Sequence, residues 1–316
     1  MALPLLIVAE WIVHQRMRLV VGQFIERGII TEATLPRFKE IIASAIKLRN
    51  SLTIEIFLFV LIFFGGHFIW STLSVVADLG KGTATWYTTV TYGDPRLSAA
   101  GYWYTFISRP LFQFILIRWY FRLFIWMRFL WQSAQLDLNL IPTHPDHAAG
   151  LGFLGGTGDA LVPFLMAHGA VLAGLLANPI FFAGAKLTDF KMEILGGVGF
   201  LLLVVLGPLL FFTPRLMRAK RKGLYEYGML ASRYVREFDC KWVRGGATDK
   251  DPFIGSGDIQ SLADLENAFQ VIRGIKPFPF GKDTLIQLIV VTLLPGLPLV
   301  LTMIPLEDLL TKLLGA

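Results

Sequence analysis

The chain has 316 residues, of which 54% are hydrophobic and 16% charged, with a formal charge of +6 and a mean hydropathy of +0.59. Globular proteins carry roughly 25% charged residues, so this composition excludes a disordered chain, a nucleic-acid-binding domain and an ordinary cytosolic enzyme, and indicates an integral membrane protein. The single cysteine, Cys240, excludes an internal disulfide framework and a cysteine-built metal cage.

Residues 1–51 read as cytoplasmic amphipathic helices. The apolar stretch 3–9 has no basic segment before it and runs into Glu10, His14, Arg16 and Arg18, unlike a secretory signal. Leu19, Val20, Phe24 and Ile25 alternate with charged neighbours, and Gly28 can end that helix. Thr34 has the character of an N-cap, with Pro36 in the first turn. Phe38, Ile41, Ile42, Ala45 and Ile46 then form one stripe opposite Arg37, Lys39, Glu40 and Lys47. The pattern suits a helical hairpin packed beneath a bundle, or an interfacial anchor lying on lipid.

A hydrocarbon core about 30 Å thick takes roughly 20 apolar residues as helix. The region 52–214 offers four such spans, 56–77, 111–131, 160–185 and 194–214. The outer loop 78–110 carries Trp86, Tyr87, Tyr92, Tyr102, Trp103 and Tyr104, an interfacial aromatic belt or a ligand lid. The second span holds Arg118, Arg122 and Arg128 among many aromatics, so its arginines should face protein or water. Segment 215–283 continues as a basic helix to about 242. After a loop at 245–257, Ser261 and Asp264 have capping-box spacing for a helix to about 273. The final region, 284–316, supplies a fifth span interrupted by Pro295, Pro298 and Pro305, either kinked or a re-entrant hairpin.

Segments 1–51 and 215–283 hold 20 Lys and Arg, against 6 in the three opposite segments. Five spans put the two basic segments on one side, which the positive-inside rule makes cytoplasmic, whereas four spans separate them. The expected fold is therefore an all-α polytopic bundle of about five transmembrane helices with cytoplasmic amphipathic helices and a cytoplasmic N-terminus. The basic cluster from Arg215 to Lys222 can attract anionic lipid.

The stretch 142–154 stands out. Thr143 to Asp146 has capping-box spacing with Pro145 in the first turn, and Ala148, Gly152, Gly156 and Ala160 recur every four residues as a small-residue packing ridge. His144, Asp146 and His147 are a weak set of metal ligands, or a proton gate at the cytoplasmic mouth. This Thr-His-Pro-Asp-x-Ala-x-Gly-Leu-Gly-Phe-Leu run, with Leu48-Arg-Asn-Ser51 and Asp258-Ile-Gln-Ser-Leu-Ala-Asp264, resembles a family of uncharacterised bacterial multi-pass membrane proteins over nearly the whole chain. The resemblance implies a bacterial inner-membrane location and transfers no catalytic residue.

Ionisable groups at membrane depth form a second cluster. Arg118 and Arg122 share a helix face, and Asp159 is positioned to pair with Arg122 or Arg128, as a structural ion pair or as a polar path. His67 and His168, at loosely similar heights, are what a bis-histidine haem would need. The leading functional reading is an ion or small-solute channel or carrier, acting as a homo-oligomer because five spans enclose a pore poorly. A haem- or divalent-metal-binding redox protein and a non-catalytic membrane scaffold are the alternatives. No hydrolase motif is present.

Overall fold

A computed structural model describes residues 1–66, 88–91, 94–247 and 256–303. Among these the regular structure is helical, apart from an isolated bridge between Ile30 and Leu138 and one antiparallel hairpin, β1 (Thr88–Thr91) with β2 (Asp94–Leu97).

Helix α1 (Ala2–Glu26) is followed by Gly28 at φ +64, a left-handed position that glycine takes without strain. In α2 (Leu35–Arg49) Pro36 occupies the first turn, as its fixed φ favours. Thr34 does not cap it. Its own backbone is already helical, so its hydroxyl turns back to the N–H and carbonyl of Thr31. A 43° bend separates α2 from α3 (Leu52–Val60), which continues through a π-helical turn, Leu61–Gly66.

Helix α4 (Arg109–Ala134) follows Ala99–Trp103 and a π-helical turn, Tyr104–Ser108, without interruption. The Ser98 hydroxyl accepts from the Gly101 N–H at 3.0 Å and starts the helix there, so the last third of the expected outer loop is helical. At 1.5 Å per residue the run 99–134 is about 54 Å long. Helices α3 and α2 lie antiparallel along it. Phe59 meets Phe114 at 5.9 Å between ring centroids, Glu55 meets Arg118 at 3.3 Å, and Arg128 donates to Ser44 at 3.0 Å. The end of α4 is held by Arg215, whose Nε and Nη2 donate to the carbonyls of Ala134 and Gln135 at 2.9 and 2.8 Å, a cation at the negative end of the helix.

Helix α5 (Val162–Ala183) turns at Gly184. Helix α6 (Lys191–Leu206), a 3-10 stretch (Gly207–Phe212) and α7 (Thr213–Phe238) then belong to one helical run of 57 residues, Leu187–Val243. Helix α8 (Gly257–Arg273) packs on α7, with the Tyr234 hydroxyl donating to the Asp258 carbonyl. It begins four residues before Ser261, so that residue is interior. The expected box is replaced by a Gln260–Asp264 hydrogen bond of 2.9 Å. Helix α9 (Lys282–Leu293) tightens to a 3-10 turn at Leu294–Gly296, where Pro295 lacks the N–H for a regular turn, and resumes at Leu297–Val300.

Among the described residues three helical stretches are long and apolar enough to cross a membrane, Val162–Ala183, Leu187–Val243 and Lys282–Leu301, with a fourth if the bent pair α2 and α3 is counted as one span. The expected span at 111–131 has the length but carries three arginines. Residues 67–77 of the expected first span lie outside the described residues, as do His67, Trp86, Tyr87, Tyr92 and Pro305.

The segment 1–51 contributes to the main core. Fully buried Phe24 of α1 contacts Phe38 of α2, Phe129 of α4, Phe153 and Phe212, with centroid separations from 5.0 to 6.2 Å. Burying one such ring stabilises the fold by about 1.5–3 kcal/mol, and this ring ties five separate stretches of chain together. The bridge between Ile30 and Leu138 and the Asn139 N–H bond to the Ile29 carbonyl close the same region.

Candidate functional site

The charged cluster is built by α1, α3 and α4. Glu10 is the one charged side chain in the first thirteen residues, and α1 crosses α4 so that its carboxylate accepts from Arg122 Nη2. Arg118 Nη2 lies 3.8 Å from the same oxygen and 3.3 Å from Glu55 Oε1. The Arg122 guanidinium also sits over the Trp119 ring at 5.6 Å, and Trp119 Nε1 donates to the Leu6 carbonyl at 3.1 Å. These groups border a cleft of about 160 Å³ lined by Leu6, Ile7, Glu10, Ile115, Arg118, Trp119 and Arg122. Two acids balance two bases, so the cluster presents no uncompensated charge to an anion.

Asp159 pairs with neither Arg122 nor Arg128. It sits in a short helix, Gly156–Ala160, before α5, where its carboxylate accepts from Gln287 of α9 at 3.1 Å and its carbonyl from Arg16 of α1 at 3.1 Å. The arginines of α4 find Glu10, Glu55 and Ser44 instead. The missed partner had a signal: a lone acid inside an apolar run requires a base or a polar neighbour.

His168 uses both ring nitrogens. Nδ1 is 2.9 Å from the Phe164 carbonyl, which can only accept, so the proton belongs on Nδ1 and Nε2 accepts from the Tyr120 hydroxyl at 3.0 Å. Haem ligation through Nε2 would displace Tyr120. The proposed partner, His67, lies outside the described residues.

The stretch 142–154 is a compact loop and not a helix start. The Asp146 carboxylate accepts three backbone N–H groups, from Ala148 at 2.8 Å, Gly150 at 3.1 Å and Gly152 at 2.8 Å, and His144 Nδ1 lies 3.0 Å away. The chain can wrap one carboxylate this way because His147, Ala149 and Gly150 take positive φ values of 52, 53 and 98°. Burial alone would raise the Asp146 pKa; the bonds from Ala148, Gly152 and Gly150 and the nearby His144 outweigh it and hold the carboxyl below its ordinary value.

The small-residue ridge does not form either. Ala148 is in the loop, Gly152 opens a 3-10 turn, and only Gly156 and Ala160 share a helix. A Cβ at Gly152 would fall 2.9 Å from Asp146 Cβ, so that glycine serves the carboxylate cradle. A close helix approach lies elsewhere, at Gly169, where an added Cβ would sit 2.0 Å from the Thr292 carbonyl oxygen. His147 faces the Val271 carbonyl at 3.3 Å and its own carbonyl accepts from the Lys276 N–H. It is thereby used in docking the end of α8, leaving His144 and Asp146 as a pair. Among the described residues no group of three or more His, Cys, Asp or Glu side chains converges to hold a metal. Thr143 is half-buried in the turn that begins the loop.

The basic segment divides in two. Arg215 and Lys220 point inward, Lys220 Nζ donating to the Ile275 carbonyl at 2.9 Å, while Arg218, Arg221 and Lys222 are exposed. In the π-helical turn that follows α7, Asp239–Val243, Lys241 and Trp242 both donate to Asp258, which holds that carboxyl below its ordinary pKa. No protein-family model, curated protein or solved structure matches the chain.

Proposed function

We propose that the chain is a five-span bacterial inner-membrane protein whose cytoplasmic helices form a platform for an acidic partner protein, a non-catalytic scaffold. One observation carries this reading, the length of the run Leu187–Val243. At 1.5 Å per residue its 57 residues extend about 85 Å, while the hydrocarbon core needs about 30 Å, so α7 is left for a role outside the bilayer. The outer face of α7 presents Arg218, Lys222, Tyr225, Met229, Arg233 and Arg236, all exposed, with Lys222 and Arg233 also paired to Glu226 and Glu237 one turn on. Aromatic, Met and Arg side chains are enriched at protein interfaces.

The span register supports five crossings. Along α4, the antiparallel contacts of α3 and α2 set the polar junction Asn50–Ser51 opposite about residue 122. The membrane-crossing part of the second span is then about 99–121, shifted toward the N-terminus from 111–131. Arg122 and Arg128 fall at and below the cytoplasmic boundary, where arginine is inexpensive. Purification of the full chain in native membrane discs should yield a stoichiometric acidic protein, released by salt and lost on R218E/R236E. Recovery of the chain alone in both forms would overturn the reading.

A second reading, an ion or small-solute carrier, is favoured by the cleft beside Glu10, Arg118 and Arg122. Against it, Arg118, Arg122, Asp159 and His168 each have partners inside the chain. Proteoliposomes that pass no more ions or protons than empty vesicles would end it.

A further inference from the structure

We propose that α1 is a half-inserted helix, its first thirteen residues lying obliquely in the cytoplasmic leaflet with Ile7, Val8 and Trp11 against lipid acyl chains. The inference rests on the multi-pass orientation above. Those thirteen residues are apolar except for Glu10. Their inner face is packed against protein, with Leu6 and Ala9 buried. Their outer face is bare: Ile7, Val8 and Trp11 are exposed, Trp11 at 70%. Beyond His14 the same outer face carries Gln15, Arg18 and Leu19, all exposed. The unbroken apolar outer face therefore ends near His14 and a mixed, mainly polar one follows, as where a helix leaves lipid for water.

Contacts of the inner face give the depth. His14 Nδ1 lies 3.3 Å from Arg49 Nη1, at the junction where charged α2 gives way to apolar α3. Toward the N-terminus, Leu6 meets Trp119; toward the C-terminus, Phe24 meets Phe129. Eighteen residues of α1 cover about 27 Å while ten of α4 cover about 15 Å, so α1 changes depth by roughly half an ångström per ångström of its length. From His14 back to Met1 it sinks by about 10 Å, inside one leaflet of a core about 30 Å thick. Glu10 is the only carboxylate that α1 carries in, and it enters against Arg118 and Arg122, beside Glu55 of α3. An acid paired on its protein side and flanked by apolar residues on the outer side is what this depth requires. Lipid is the occupant that fits, because the bare face continues the level of the exposed apolar residues of neighbouring α3, Leu52 and Ile56.

Cys240 is the only cysteine, so C240S provides a cysteine-free chain. Nitroxide labels at I7C, V8C, W11C and R18C, with L175C on α5 as the span control, would be read in liposomes for collision with oxygen and with a water-soluble nickel complex. Positions 7, 8 and 11 should favour oxygen over nickel severalfold, and position 18 should favour nickel. Nickel access at 7, 8 and 11 with oxygen access at 175 would overturn the insertion and leave the spans intact. Nickel access at 175 as well would remove the membrane orientation itself. Labels at 7, 8 and 11 shielded from both and broadened by a second label would assign the face to another copy, also overturning the lipid proposal. Three separate cysteine positions keep the test valid if one variant fails to fold.

Discussion

Replacing Glu10 and Arg122 by glutamine, singly and together, measures what surrounds the charged cluster. Their side chains are 46% and 23% exposed, so the outcome depends on the medium that the exposed part touches. If it touches water, the pair is a surface salt bridge and its coupling is about 0.2–1 kcal/mol. If it touches the interior of a leaflet, removing one partner leaves a charge poorly solvated, and each single change should cost about 3–5 kcal/mol. Arg118, 3.8 Å from the same carboxylate, and Glu55 buffer part of that loss, so about 2–3 kcal/mol per single change is expected in bilayers. The double change, which removes both charges, should cost less than the sum. The assay is denaturant unfolding in bicelles, repeated at raised salt. Single changes of under 1 kcal/mol that add, or a coupling that high salt abolishes, would refute the placement of this cluster at the lipid boundary.

Other outcomes follow from the packing. Gly169→Ala puts a Cβ 2.0 Å from the Thr292 carbonyl oxygen; α5 and α9 must separate, and a loss of about 1–3 kcal/mol should appear as a lower melting temperature, with Gly174→Ala, in open space, near neutral. Phe24→Ala should cost about 3–5 kcal/mol, read by denaturation, because four neighbouring rings lose their common contact. Asp146→Asn should cost about 1.5–3 kcal/mol at neutral pH by loss of charge-assisted bonds. Because the Asp146 pKa is lowered on folding, its stabilisation is present above the unfolded value of about 3.9 and disappears as pH falls through the folded value. The stability difference between wild type and Asp146→Asn should therefore shrink in acid, with a midpoint below that of an ordinary carboxyl.

What the sequence disclosed was decided by range. Apolar runs such as Val162–Ala183, the stop at Gly28 and the break at Pro295 depend on a few neighbouring residues, and each is read directly from them. The partners of Arg118 and Arg122 are more than 60 residues away along the chain, and helical periodicity does not say which element lies beside which. Thr143 to Asp146 illustrates a local pattern with two physical solutions. A carboxylate two or more residues before several N–H groups can start a helix or hold a loop, and the left-handed backbone at His147 and Ala149 decides for the loop, with His147 also contacting the distant Val271 of α8. In α1 the apolar pattern found Val20 and Phe24, which are buried, but grouped with them Leu19 and Ile25, which are exposed, and it was silent on whether lipid or water covers the outer face.

The run Leu187–Val243 also has the form of a jointed lever. Its joint is the 3-10 stretch Gly207–Phe212, with Pro208 inside it and Pro214 just beyond, where a helix bends most easily. Residues 213–243 reach about 46 Å beyond that joint, so a bend of about 5° there displaces the far end, and α8 held to it through Asp258, by about 4 Å. Any change in packing around Gly207–Phe212 would reach the far end as a sideways stroke of that size, enough to change which side chains meet there.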